Sequence, residues 1–312
     1  MRIVTMGLAA CTLWACTGDA SHDPAQTAAP QALVEDADCG KTLVLDGEPE
    51  LAFPGVLTTA YAEVKLAVSP DGQRMLWGAS DLPGSIGGDD IWEVVRQGDG
   101  WSPPHPVSFD TPQDEFDPSF APDGSGLYFF SSRPGGFGGD DIYFVPLHRG
   151  VYGQPVNLGA GINSAGDEWG PVVSPDGQRL VFASDGRGGK GEHDLFMAER
   201  VHGSWAPAEN LGDDINSELE DFDATFLDDG RTLVFASERR GDGSVDLYVS
   251  VPVHGHYPMP TWLGSDLNSS DFANFATSIN LREPGVLYFN SRRPPDLTGG
   301  SHVYRVRYHF AG

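Results

Sequence analysis

The feature that most constrains this chain is a phrase it repeats. "SPDGQRMLWGAS" (69–80), "APDGSGLYFFSS" (121–132), "SPDGQRLVFASD" (174–185) and "LDDGRTLVFASE" (227–238) are four copies, and "REPGVLYFNSRR" (282–293) is a worn fifth. The turn residues Asp71, Asp123, Asp176 and Asp229 are 52, 53 and 53 residues apart. A fixed period near 50 residues built of strands is the signature of a propeller.

Each copy reads physically. Proline followed by Asp-Gly presets a tight turn, because proline fixes φ and glycine accepts the positive φ that other residues resist. The run after it ("LYFFS", "LVFAS") is apolar on both faces, as a strand sandwiched between neighbouring sheets must be. A glycine-rich loop then leads to a third strand opening "DDIWEVV", "DDIYFVP", "HDLFMAE", "VDLYVSV" or "SHVYRVR", and an outer segment such as "GQPVNLGAGIN" follows. Four strands per copy and five copies predict an all-β chain, a five-bladed propeller of four-stranded blades. The chain ends on the third strand of copy five, while "GEPELAFPGVL" (47–57) imitates an outer segment just before copy one. This N-terminal stretch is expected to complete the last blade and remove its open edge. The expected organisation is a leader over 1–16, a flexible tether over 17–46 and the propeller over 47–312.

The repeated "SPDG…L.F.S.R.GG.GG.DIY" resembles the Pro-Asp-Gly repeats of TolB-like, WD40-like bacterial propellers over roughly residues 60–310. The chain differs from TolB itself in blade number and in having no N-terminal helical domain. The resemblance implies an extracytoplasmic binding platform without a common chemistry, since a shared fold does not fix function.

Charge and composition exclude several functions. Lys and Arg number 19 against 45 Asp and Glu, a formal charge of −26. A surface this acidic repels nucleic acid and anionic lipid and favours cations or basic protein faces, or simply keeps the chain solvated. The three cysteines, Cys11, Cys16 and Cys39, all precede the repeats, so no zinc spacing or disulfide framework is built inside them.

"MRIVTMGLAACTLWAC" carries one Arg and an apolar run from Ile3 to Ala15, too short to span a bilayer. It resembles a bacterial lipoprotein signal. "LAAC" ending at Cys11 fits that box better in its residues and "LWAC" ending at Cys16 better in its length. Cys16 is the favoured lipidation site and Cys11 the alternative, with an unlipidated secretion signal also open. The expectation is a monomer exported to the cell envelope and anchored by lipid to the outer membrane or held in the periplasm.

No nucleophile elbow, zinc-helix motif or phosphate loop occurs in the repeats. "GGFGG" (135–139) precedes a strand, so the helix N-terminus that holds phosphate is missing. The segment 185–194 offers oxygen atoms to calcium without the spacing of a dedicated loop, and it contains His193 between Glu192 and Asp194. No other cofactor is expected.

One constellation stands out. Glu63, Glu115, Glu168, Asp221 and, allowing a two-residue insertion, Asn274 occupy one slot ahead of the turn, at spacings of 52, 53, 53 and 53. They are expected to begin the innermost strands and ring one channel mouth. The loop acids Asp90, Asp141, Asp194 and Asp246 share that face. The other face, built of tight turns, is expected to offer no comparable concavity. Either the acids cap strands and loops or they make one electronegative binding face. The functional expectation is a non-catalytic module holding a protein or peptide. Two alternatives remain: a glycoside hydrolase resembling the five-bladed arabinanases, with a carboxylate pair at the mouth, and a glycan-binding lectin using aromatics such as Trp169 and Trp262.

Overall fold

The computed structural model describes residues 31–36, 40–57, 61–80, 82–293 and 300–312. The leader, Cys11, Cys16, Cys39 and the first part of the expected tether lie outside the described residues. The described elements are all strands, arranged in five antiparallel sheets: a five-bladed β-propeller.

The inner strands are Val64–Val68, Glu115–Phe120, Glu168–Val173, Asp221–Phe226 and Asn274–Ile279. Each pairs across its turn with a second strand, and that with a third. In blades one to three the outer strand is broken into two-residue pieces, such as Gly100–Trp101 and His105–Pro106. Pro103, Pro104, Pro155 and Pro207 fall at these breaks, where a missing N–H is tolerated because the edge faces solvent.

Blade five differs. Its outer strand is the unbroken N-terminal segment Lys41–Leu51, paired with the C-terminal strand His302–Ala311, and Gln31–Asp36 adds a fifth strand outside it. The expected closure holds, but the tether boundary at 46 is corrected. Leu43, Val44 and Leu45 are buried against the C-terminal strand, so this stretch gains more by packing than by remaining a linker. Ala52 and Leu57 follow it into the seam between blades five and one.

The apolar core is divided among five clusters, each between two adjacent blades. Ile91 and Val107 of blade one, for example, meet Leu127, Phe129 and Val145 of blade two. This is the physical meaning of the doubly apolar second strands: both faces of each blade are interior.

Candidate functional site

Every inner strand carries a bulge two residues after the ring position, where the register against the second strand slips. The residues there, Lys65, Asp117, Gly170, Asp223 and Ala276, all have φ between 51° and 59°. Left-handed backbone costs about 1–2 kcal/mol for an ordinary residue and less for Asp or glycine, so Lys65 and Ala276 above all hold this conformation against local preference. The bulge turns these side chains toward the channel axis. Lys65 Nζ from blade one lies 3.4 Å from Asp223 Oδ1 of blade four. The other Asp223 oxygen accepts the Ala276 N–H at 2.8 Å. A Cβ on Gly170 would sit 3.2 Å from Asp223 Oδ1 and 3.7 Å from Asp117 Oδ2, so all five blades converge on one buried point. Lys65, Asp117 and Asp223 are each at least 94% buried and plug the channel at mid-depth. Burial and the neighbouring Asp223 push Asp117 up to about 8, with Lys65 acting in the opposite direction.

The ring residues stand beside this plug, and the expectation that they line an open mouth is corrected. Glu63, Glu115, Glu168, Asp221 and Asn274 have no exposed surface. Glu115 accepts from Thr111 N–H, Thr111 Oγ1 and Ser131 Oγ at 2.5–2.8 Å and lies 3.1 Å from the Arg133 guanidinium. Asp221 accepts from Ser217 N–H and Arg239, and Asn274 from Arg293. Among the described residues no arginine is placed on Glu168; Ser164 and Ser184 donate to it, yet burial still raises its pKa. Glu63 pairs with His302 Nδ1 at 2.9 Å across the closure seam. The backbone N–H groups of Glu63, Glu168, Asp221 and Asn274 donate to Ser301, Asp140, His193 and Val245 of the preceding blade at 2.8–3.1 Å. The ring therefore ties each strand start to its own loop and to the neighbouring blade. Ser184→Ala removes one donor from Glu168 and should cost about 1–3 kcal/mol in urea unfolding, whereas a carboxylate ring open to water would register no loss.

The loop acids are likewise enclosed. Asp90 accepts from Ile86 and Gly87 N–H, Asp141 from Phe137 and Gly138 N–H, and Asp194 from Lys190 and Gly191 N–H, each closing its own glycine-rich loop. Asp246 instead accepts from Trp262 Nε1 and Arg240. Among the described residues no group of three or more His, Cys, Asp or Glu is placed to hold a metal. In the segment considered for calcium, Asp185 accepts the Asp167 N–H and His193 Nδ1 lies 2.9 Å from Glu220.

At the loop face a second set of acids marks the blade junctions. Asp114 accepts the Asp89 N–H, and Asp167 accepts the Asp140 N–H. Trp169 Nε1 donates to Asp140 at 2.9 Å, and its ring stacks on His193 at 3.8 Å. Burial, helped by Asp167, Asp114 and Asp89 and opposed by the Trp169 hydrogen bond, pushes Asp140 up to about 6.

A concavity opens on the turn face, where none comparable was expected. Val68, Phe120, Val173, Phe226 and Ile279, one from each inner strand, line a channel mouth of about 50 Å3 that has Lys65 at its floor. Pro70, Pro122, Pro175 and Leu281 rim it. Outside the prolines stand the exposed turn acids Asp71, Asp123, Asp176 and Asp229. Against a small burial penalty, the Ser69 hydroxyl, the Gln73 N–H and Arg74 hold Asp71 below the usual carboxylate range. The Ser125 hydroxyl and N–H do the same for Asp123. For Asp176 the Ser174 hydroxyl, the Gln178 N–H and Arg179 again outweigh burial. The sequence signal for this mouth was present: the lining positions follow each ring residue by five, and the prolines by seven.

No protein-family model matches the chain, and no curated protein matches it in sequence. Solved structures do match in shape. A putative TolB from Agrobacterium tumefaciens is 15% identical, with 82% of this chain and 93% of that one covered, at a TM-score of 0.51. A thermostable family-43 glycoside hydrolase is 11% identical, with 82% and 91% covered, also at 0.51. TolB from Acinetobacter baumannii, 15% identical, is matched over 90% of this chain but only 66% of its own length, at 0.49. At these identities the likeness to the putative TolB and to the glycoside hydrolase is one of overall fold alone.

Proposed function

We propose that this protein is a non-catalytic binding module of the bacterial cell envelope that receives a protein or peptide partner at the turn-side mouth of its channel. The observation that supports this most is the pairing of an apolar funnel with an ionised acidic collar. The funnel accepts one apolar side chain, and Asp71, Asp123 and Asp176 meet basic residues flanking it. Export and lipidation at Cys16, or at Cys11, would place the module at the membrane surface.

Peptides with an apolar residue between Lys or Arg, read by fluorescence anisotropy, test this reading. They should bind more tightly than their acidic counterparts, and more weakly as salt rises. The triple variant Asp71→Asn, Asp123→Asn, Asp176→Asn should lose roughly three- to hundredfold in affinity, from three surface pairs of about 0.2–1 kcal/mol each. Equal affinity for the triple variant would refute the reading.

A hydrolase reading has one observation in its favour. Asp140, half-exposed against Trp169 and raised to about 6 beside other carboxylates, has the protonation a general acid needs. Turnover of an aryl glycoside that disappears in Asp140→Asn would favour it over the binding module.

A further inference from the structure

Three blade junctions are clasped by the same side chain. Asn163 Oδ1 accepts the Ile142 N–H at 2.8 Å while its Nδ2 donates to the Ile142 carbonyl at 3.0 Å. Asn216 makes the same pair of bonds with Leu195, at 2.8 and 3.1 Å, and Asn268 with Leu247, at 2.8 and 2.9 Å. Each amide thus closes a two-pronged ring with the N–H and C=O of one residue of the third strand, holding the outer segment to its own blade just before the chain enters the next. The clasp needs one acceptor and one donor on the same planar group.

At the remaining described junction, between blades one and two, the clasp position holds Asp110, five residues before Glu115 as Asn163 is before Glu168. The peptide it faces is that of Ile91, the counterpart of Ile142, Leu195 and Leu247. The equivalence is set by the backbone: Val107 N–H donates to the Ile91 carbonyl as Leu158 does to Ile142, Leu211 to Leu195 and Leu263 to Leu247. The approach differs, since the loop from Val107 to Asp110 is two residues shorter than that from Leu158 to Asn163. Both Asp110 oxygens are shielded from solvent, and neither makes a well-formed hydrogen bond.

The groups facing Asp110 disfavour a charge on it. Burial, Glu115 of the inner strand of blade two and Asp90 of the third strand of blade one all raise its pKa, and they outweigh the Ile91 N–H and Arg133, already 3.1 Å from Glu115, which favour the charge. An ionised carboxylate has two acceptors and no donor, so it would set an oxygen against the Ile91 carbonyl with nothing between them. A carboxylic acid has the donor and acceptor of an amide.

We propose that Asp110 stands in the folded protein at neutral pH as a neutral carboxylic acid, a proton-dependent copy of the asparagine clasp, so that the junction between blades one and two is the one that alkali loosens. Its C=O oxygen accepts from the Ile91 N–H and its O–H donates to the Ile91 carbonyl. Burial with Glu115 and Asp90 pushes the group up to about 9, in the same direction as the geometry. The unfolded chain releases this proton near pH 4 and the folded one keeps it to about pH 9, so stability from this group falls with rising pH across that interval and is level above it.

The test compares the full propeller with Asp110→Asn. Thermal unfolding from pH 5 to 10 should give a melting temperature that falls with pH more steeply in the parent than in Asp110→Asn, with the variant the more stable at pH 8. Infrared difference spectra at pH 7 should show a protonated-carboxyl C=O band in the parent that Asp110→Asn lacks. Parallel melting curves, or a parent spectrum without that band, would overturn the proposal. If Asp110→Asn does not fold, the parent's spectrum decides alone: a protonated-carboxyl component that outlasts the Asp117 step near pH 8 and titrates away near pH 9 supports the clasp, and the absence of any component beyond that step refutes it.

Discussion

A chain beginning at Ala52 is expected to melt at least about 10 °C below one beginning at Gln31, or not to fold. The strand it loses, Lys41–Leu51, is opposite seven residues of the C-terminal strand and fills the position that the last blade otherwise lacks. Leu43, Val44 and Leu45 are at most 7% exposed, and burying each contributes about 1.5–3 kcal/mol. Their removal bares the edge of His302–Ala311 and the faces of Tyr304 and Tyr308 behind it. For a domain of this size about 1 kcal/mol moves the midpoint by about 2–4 °C, which sets the expected shift. A third chain beginning at Lys41, which loses only the fifth strand, should fall between them. Calorimetry on the three chains checks the order, and equal melting of the first two would mean that the propeller closes without this strand.

The period made blade number, strand order and closure legible, because duplication writes the same geometry five times and a fixed spacing cannot come from unrelated loops. It also made the equivalence of Glu63, Glu115, Glu168, Asp221 and Asn274 legible. It could not show what surrounds them. A strand start is open to water or enclosed according to where the preceding loop folds, and here Thr111, Ser164 and Ser217 fold back onto the acids that follow them.

The bulge hid the channel residues for a related reason. Strict alternation assigns side chains to faces two residues apart, and one inserted residue in each inner strand breaks that count. The composition of the bulge slot was nonetheless a signal. Lys, Asp, Gly, Asp and Ala at one position are poor strand formers, and Asp and Gly tolerate positive φ. Read as a column, they mark the place where the backbone leaves the sheet. Asp110 was hidden by the opposite effect, since a lone Asp in a column of Asn looks conservative until the donor it lacks is counted.

The second large effect is expected at the plug. Lys65→Met should cost about 3–5 kcal/mol near pH 8, because it removes the cation from two buried carboxylates while leaving both in place. Asp223 Oδ1 loses its partner at 3.4 Å, and Asp117 loses the neighbour that holds its pKa down. The pH dependence follows from the sign of that shift. Asp117 is already raised to about 8 in the folded protein, above its value of 3.8 in an unfolded chain. A raised carboxyl contributes stability at low pH and loses it as pH rises through that interval. Without Lys65 the folded pKa rises further, so the variant should approach the parent at pH 5, where one proton can be shared across the channel, and fall away from it at pH 8. Adding Asp117→Asn and Asp223→Asn to Lys65→Met should restore much of the loss, since the cost lies in the uncompensated charge. Urea unfolding of the parent, single and triple variants at pH 5 and 8 gives the comparison. A single-variant loss that is the same at both pH values would show that Lys65 acts through the packing of its stem and not through its charge.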